Sequence, residues 1–289
     1  MRRIYKRISG RVLLHFAALV IAAAIIAPIA WLIISSITGR TELASVPPHW
    51  LPRKPTFENY QILLFGMKSS ALVGGTANFL IALRNNVIVC AGSALVALVF
   101  GLPAAYGLSR FKFRGRGALR LAVIAIRMVP FGAMIIPFYL MLSRSGLLDR
   151  KIGLIIVYQS FTLPFVIWIM SNFFDSLPVE IEESARVEGA GALSIFARIA
   201  LPLSLPGLAT TAILSFMVTW EEMFYALILT NSNRARTLSV AITELSTRYT
   251  LDFSLWITAG AIGLVVPFLL AIVFQKYVIR GLTMGAVKG

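Results

Sequence analysis

The 289-residue chain is 58% hydrophobic and only 13% charged, with a mean hydropathy of +0.84. Soluble domains carry roughly 25% charged residues, so an aqueous globular protein and a disordered chain are both excluded. A net charge of +15 would point to nucleic acid in a soluble chain. Here the cations flank apolar runs, with no basic groove of interleaved aromatics, which is the pattern of segments oriented in a bilayer with anionic headgroups.

A membrane-spanning helix needs about 20 apolar residues. In chain order, runs at 12–37, 86–109, 121–142, 152–174, 199–230 and 253–275 meet that length and predict six spans. The first follows Arg2, Arg3, Lys6, Arg7 and Arg11 and is far longer than a signal-peptide core, so it reads as a retained helix. A shorter run at 69–83, holding Gly74 and Gly75, predicts an interfacial helix leading into the second span. Residues 38–68 contain Pro47, Pro48, Pro52 and Pro55 and read as an extended external segment, closed by a helix that Thr56 would cap. The third span is interrupted by Arg127, and the fifth carries Glu221 and Glu222. Pro130, Pro137, Pro164, Pro206 and Pro267 bend the later spans, either as fixed helix shape or as hinges.

An even number of spans puts both termini on one side. The basic N-terminal tail and Arg110, Arg114, Arg116, Arg120 and Lys112 of the second cytoplasmic segment make that side cytoplasmic. The fold class is therefore all-α and integral to the membrane, with one transmembrane domain over 1–289. Its external loops lie at 38–84 and 231–252, and a cytoplasmic loop at 175–202. The lone Cys90 sits in an apolar run and leaves the redox compartment unreadable. His15 and His49 are isolated, so no metal site is expected.

The loop 175–200 is acidic on the side that should be basic. It holds Asp175, Glu180, Glu182, Glu183 and Glu188 against Arg186 and Arg198. Asp175 or Ser176 would cap a helix whose first turns are filled by glutamates, Glu182 and Arg186 are spaced as an i,i+4 pair, and Gly189 and Gly191 end it. A second amphipathic helix follows, with Leu193, Phe196 and Ile199 on one face. On charge alone this is either a solvated connection or a helix presented to a partner.

At these residues the chain resembles the membrane subunits of binding-protein-dependent ABC importers. Their signature runs E-A-A, three residues, G, nine residues, I, one residue, L-P. Glu183-Ser184-Ala185, Gly189, Ile199 and Leu201-Pro202 stand at those spacings, with Ser184 replacing Ala and Glu188-Gly189-Ala190 similar to the D-G-A of the sugar branch. The segment Thr56 to Tyr60, the segment Trp220 to Leu227 and the C-terminal Gly281 to Gly289 also resemble maltose-type, MalG-like permease subunits, although Glu221 replaces the usual Asn. The resemblance implies the type I importer permease fold in a bacterial inner membrane. It implies a second, MalF-like permease subunit, two cytoplasmic ATPases and an external solute-binding protein as partners. No phosphate-binding G-x-x-x-x-G-K-[S/T] motif is present, so ATP and Mg would be bound by the ATPases and this chain would carry neither cofactor nor catalysis.

Carried over residue by residue, Glu183, Ser184, Ala185, Arg186, Glu188, Gly189 and Ala190 would dock the ATPase. Asn233, Arg234, Arg236 and Glu244 would face the binding protein. Charges inside a membrane are costly and mark function. Arg127, Glu221 and Glu222, with Trp220 as a stacking face, are candidates for the substrate path. An internal ion pair between Arg127 and a glutamate is the competing reading, and snorkelling to an interface a third. The solute would be a sugar, or else an anionic sugar derivative or polyol. A stand-alone secondary transporter would need internal repeats, and none is evident. A membrane-embedded enzyme would need clustered catalytic residues, and none are present.

Overall fold

A computed structural model describes residues 2–47, 49–66, 79–245 and 253–286. Its helices, in chain order, are α1 (Arg2–Ser36), α2 (Arg40–Leu43), α3 (Glu58–Phe65), α4 (Phe79–Arg110), α5 (Arg116–Ile126), α6 (Phe131–Arg144), α7 (Lys151–Asp175), α8 (Val179–Val187) and α9 (Ala192–Ile195). A π-helical turn, Phe196–Ala200, leads to α10 (Leu201–Leu203), α11 (Leu205–Trp220), α12 (Phe224–Leu229), α13 (Leu238–Glu244) and α14 (Phe253–Ala286). Among the described residues there is no strand. Four helices, within α1, α4, α7 and α14, are long and apolar enough to cross a membrane, and one bent pair makes a fifth.

The expected third span is not one helix. α5 stops at Ile126 and α6 starts at Phe131, because Pro130 has no N–H to donate and its ring excludes Val129 from helical geometry. Three tight turns close the α5 end: the N–H groups of Arg127, Met128 and Val129 donate to the carbonyls of Ile124, Ala125 and Ile126 at 2.9–3.2 Å. The fifth span is also broken. Its entry, Ala192–Leu203, meets Leu205–Trp220 at 78° beside Pro202 and Pro206, and the helix lapses again over Glu221–Met223 before α12. By contrast Pro137, Pro164 and Pro267 lie inside continuous helices. Most of the expected interfacial helix at 69–83 lies outside the described residues, and its last residues, from Phe79, are continuous with α4.

The chain divides into two compact units. The first comprises Met1–Ala77 and Glu244–Leu264. There the Ser36 hydroxyl meets the Tyr60 hydroxyl at 2.7 Å, the Thr56 N–H donates to the Ile37 carbonyl at 2.8 Å, and the Thr258 hydroxyl donates to the Ser36 carbonyl at 3.0 Å. Thr56 accepts from the Glu58 N–H at 3.2 Å, while Phe57 holds the cap position of α3.

The second unit, Asn78–Thr243 with Val265–Gly289, is built on α4 against α7. On α4 the buried positions Ala82, Asn86, Val89, Ser93, Ala97, Gly101, Ala105 and Ser109 recur every three or four residues and form one stripe. Small residues let the two backbones approach, as lipid-embedded pairs require. A Cβ on Gly101 would stand 2.7 Å from Val166, and one on Gly207 would stand 2.4 Å from the Phe173 ring. One core cluster joins Val89, Leu142, Tyr158, Phe161 and Tyr225; another joins Ala97, Tyr106, Met170, Phe174 and Ala200.

Gly153 is the tightest test of this packing, since a Cβ there would stand 2.4 Å from the Leu147 carbonyl oxygen, a backbone atom. Gly153→Ala should cost ~1–3 kcal/mol, as overpacking does. Gly117→Ala, in a helix with nothing within 4 Å of the new methyl, should be neutral or stabilising by up to ~1 kcal/mol. Thermal midpoints of the detergent-purified variants check both.

Candidate functional site

The acidic loop folds as a short helix fastened to the ends of α4 and α7. α7 runs through Asp175, so Asp175 does not cap α8. Instead it accepts from the Ser109 hydroxyl at 2.6 Å and from Arg120 at 2.9 Å. Pro178 occupies the cap position, with no side-chain cap bond. The helix ends at Gly189, which has φ +88°, a conformation that glycine adopts without strain. The N–H of Ala190 donates to the Ala185 carbonyl at 2.9 Å and that of Gly189 to the Arg186 carbonyl at 3.0 Å, which together close a Schellman motif.

The residue that fastens this helix is Glu182, which sequence reasoning saw only as half of an i,i+4 pair. Its side chain is 2% exposed. One carboxylate oxygen accepts from Arg110 Nε at 2.8 Å and the other from the Tyr106 hydroxyl at 2.9 Å, while Arg186 stands at 3.8 Å. The Arg110 side chain is itself only 5% exposed and also donates to the Leu177 carbonyl at 3.3 Å. Its neighbours on the basic segment serve the same end of α4. Arg116 donates to the carbonyls of Leu108 and Ser109 at 2.6 and 2.8 Å, and Arg120 donates to that of Leu108 at 2.8 Å. These cations satisfy the last carbonyls of the helix, which have no partner within it. In the sequence the same residues carry only the signal of charges that orient the chain.

With Glu182 inward, the docking candidates turn outward. Glu183, Ser184, Arg186, Glu188 and Gly189 are exposed, and Ala185 and Ala190 are half-buried. Val187 is 90% exposed and Leu193 79%. Leu193 therefore does not share the inward face expected of it. That face is made by Ile195, fully buried, and by Phe196, whose ring lies 5.0 Å from that of Tyr106.

The membrane charges sit at the helix breaks. Arg127 caps the C-terminus of α5 with its guanidinium 4.9 Å from the Phe165 ring centroid. It borders a cavity of about 320 Å³ shared with Met134, Phe138, Ser160, Phe161 and Tyr225. Among the described residues Arg127 makes no ion pair with Glu221 or Glu222. Glu222 instead accepts from the N–H groups of Tyr225 and Ala226 at 2.8 and 3.2 Å and from the Tyr158 hydroxyl at 2.7 Å, restarting the helix at α12. Glu221 is exposed, and Trp220 is buried and stacked on Phe216 at 5.5 Å. Trp220 is therefore not on the wall of the Arg127 cavity.

The loop after α12 is held by three polar residues. Asp149 accepts from the N–H groups of Asn231 and Ser232, both at 2.9 Å, and from the Ser232 hydroxyl. Lys151 donates to the Arg234 carbonyl at 2.8 Å, and Asn85 donates to the carbonyls of Asn233 and Arg236 at 2.9 and 3.1 Å. Of the candidate binding-protein residues, Arg234 and Glu244 are exposed and Asn233 and Arg236 half-buried. Burial raises the Asp149 pKa, but the bonds from Ser232 and Asn231 and the charge of Arg234 outweigh it and hold the carboxyl below its ordinary value.

The description "Binding-protein-dependent transport system inner membrane component" fits residues 97–284 of this chain. The chain belongs to that family. It is a membrane permease subunit. The trehalose/maltose permease protein MalG of Thermococcus litoralis is 30% identical over 285 residues, covering 98% of this chain and 99% of that one. The trehalose permease protein SugB of Mycobacterium tuberculosis is 34% identical over 242 residues, covering 83% and 84%. A crystal structure of a bacterial ABC transporter that imports the acidic polysaccharide alginate includes a chain that superposes with a TM-score of 0.72. The two are 25% identical, covering 94% of this chain and 96% of that one.

Two outcomes follow. Glu182→Ala leaves Arg110 buried without its carboxylate and should cost ~3–5 kcal/mol. Glu182→Gln, which still accepts hydrogen bonds, should lose clearly less, as read from thermal midpoints of the purified protein. For Asp149 the folded pKa lies below the ordinary value of about 3.9. Its contribution is complete above that pH and is lost as pH falls through the folded value. The protection factors of the Asn231 and Ser232 amides, which are exchange rates corrected for the intrinsic pH dependence, should fall on acidification below about pH 4, and in Asp149→Asn that step should vanish.

Proposed function

We propose that this chain forms half of the translocation pathway of a carbohydrate importer, driven by ATP hydrolysis on two cytoplasmic partner subunits. The observation that carries the reading is the geometry of α8. One face is fixed to α4 through Glu182, while Glu183, Ser184, Arg186 and the bare Val187 face outward next to the Gly189 turn. A helix so held is a lever: a partner that grips its outer face moves α4 and α7 with it. Closure of the ATPases would then rock the membrane helices between inward and outward states. Ala185 and Ala190 keep the contact close, and Glu183, Arg186 and Glu188 supply its polar partners.

In this reading the chain crosses a bacterial inner membrane six times with both ends cytoplasmic, the broken α5–α6 pair and the bent α9–α11 segment each counting as one span. A MalF-like subunit supplies the other half of the path. An external binding protein meets the loop of Asn233, Arg234 and Arg236, which the Asp149, Lys151 and Asn85 bonds preorganise. The names of the relatives supply the carbohydrate, and they span neutral disaccharides and an acidic polysaccharide.

Val187→Asp and Gly189→Asp test the lever. The first places a charge on the contact and leaves the fold untouched; the second also strains the φ +88° turn. Both variants should remain membrane-inserted while uptake by the reconstituted importer drops at least ~10-fold, the effect of losing about 1.4 kcal/mol of contact. Undiminished uptake in Val187→Asp would remove α8 as the docking element.

A further inference from the structure

We infer that the Arg127 cavity receives an anionic group of the transported carbohydrate, so that the solute is an acidic sugar derivative and not a neutral sugar. The inference rests on the importer reading above and adds the charge of the substrate.

Three observations carry it. First, the backbone opens at Arg127: α5 has ended, α6 has not begun, and the segment 127–130 is irregular in the middle of an apolar stretch. Irregular backbone at membrane depth is tolerated only inside protein or along a wet cavity, and here a cavity of about 320 Å³ lies beside it. Second, Arg127 lines that cavity as a cation with no carboxylate partner among the described residues. Glu222 is engaged on the α12 amides and Tyr158, and Glu221, exposed like Arg127 itself, makes no ion pair with it among the described residues. An arginine at membrane depth is costly, and the Phe165 face at 4.9 Å offsets only a small part of that cost. Third, the rest of the wall is largely apolar: Met134, Phe138, Phe161 and Tyr225 border it, Ser160 adds a hydroxyl, and Arg127 is the cation among these lining residues. A guanidinium in such a wall binds a carboxylate, sulfonate or phosphate through paired N–H donors, a geometry that a neutral hydroxyl does not match.

The test uses the complete importer, reconstituted with its binding protein in liposomes of zwitterionic lipid. Uptake is measured for matched glycosides: a glucoside, the corresponding glucuronide and the 6-sulfo glucoside. The expected result is uptake of one or both acidic glycosides and little of the neutral one. Arg127→Gln should lower acidic uptake ~10- to 100-fold, the loss of one charge-assisted contact, and Arg127→Lys should restore much of it. Uptake of the neutral glucoside alone would overturn the inference and leave the importer reading intact, whereas uptake of none of the three glycosides would overturn both. Two further results would overturn the inference alone. If Arg127→Gln no longer co-purifies with the second permease subunit while the wild type transports neutral sugar, the arginine pairs with that subunit. If Arg127→Gln changes thermal stability only in anionic lipid and leaves acidic uptake unchanged, the cavity holds a headgroup.

Discussion

Every backbone N–H and C=O of an apolar chain must find a partner, because hydrocarbon supplies none. This requirement organises the second unit. Where helices run unbroken, as α4 and α7 do, the ladder itself meets it, and small residues then allow the close packing that the hydrophobic effect cannot drive in lipid. At several places where helices stop, a polar or charged side chain takes the freed backbone groups. Arg116 and Arg120 take the last carbonyls of α4. Glu222 takes the first amides of α12, and Asp149 takes the amides of Asn231 and Ser232. The charged residues that composition makes scarce are concentrated where the backbone needs them.

The same economy explains how a short loop helix is oriented. A nine-residue helix is too short to be stable alone, and α8 exists because Glu182 reaches back into the α4–α7 pair. The ion pair with Arg110 contributes little net stability, since desolvation offsets most of its attraction. It supplies orientation instead. With both charges buried and Tyr106 completing the carboxylate's partners, only one rotation of α8 keeps them paired, and that rotation turns Glu183, Arg186 and Val187 outward.

The two breaks that carry the expected intramembrane charges behave differently. At Glu221–Met223 the carboxylate of Glu222 is consumed by the fold. At Arg127 the cation is left facing a cavity. The sequence left an ion pair between them as one of three readings, and among the described residues that pair does not form.

Periodicity, span length and the spacing of Glu183, Gly189 and Leu201-Pro202 were enough to read an all-helical membrane chain, the acidic helix and its glycine stop, because these features are local: hydrophobic runs, caps and turns depend on neighbours a few residues away. The division of the third and fifth spans was half legible. Pro130 and Pro206 were visible, but whether a proline kinks or ends a helix depends on what satisfies the freed groups, and Pro137, Pro164 and Pro267 were simply absorbed. What only the tertiary structure decided was the partner of each charge. Glu182 and Arg110 are 72 residues apart, Tyr158 and Glu222 are 64 apart, and Asp149 and Ser232 are 83 apart. No local pattern specifies such pairs, because they are fixed by how the helices pack, and it is that packing which left Glu182 inside and Arg127, among the described residues, without a carboxylate partner.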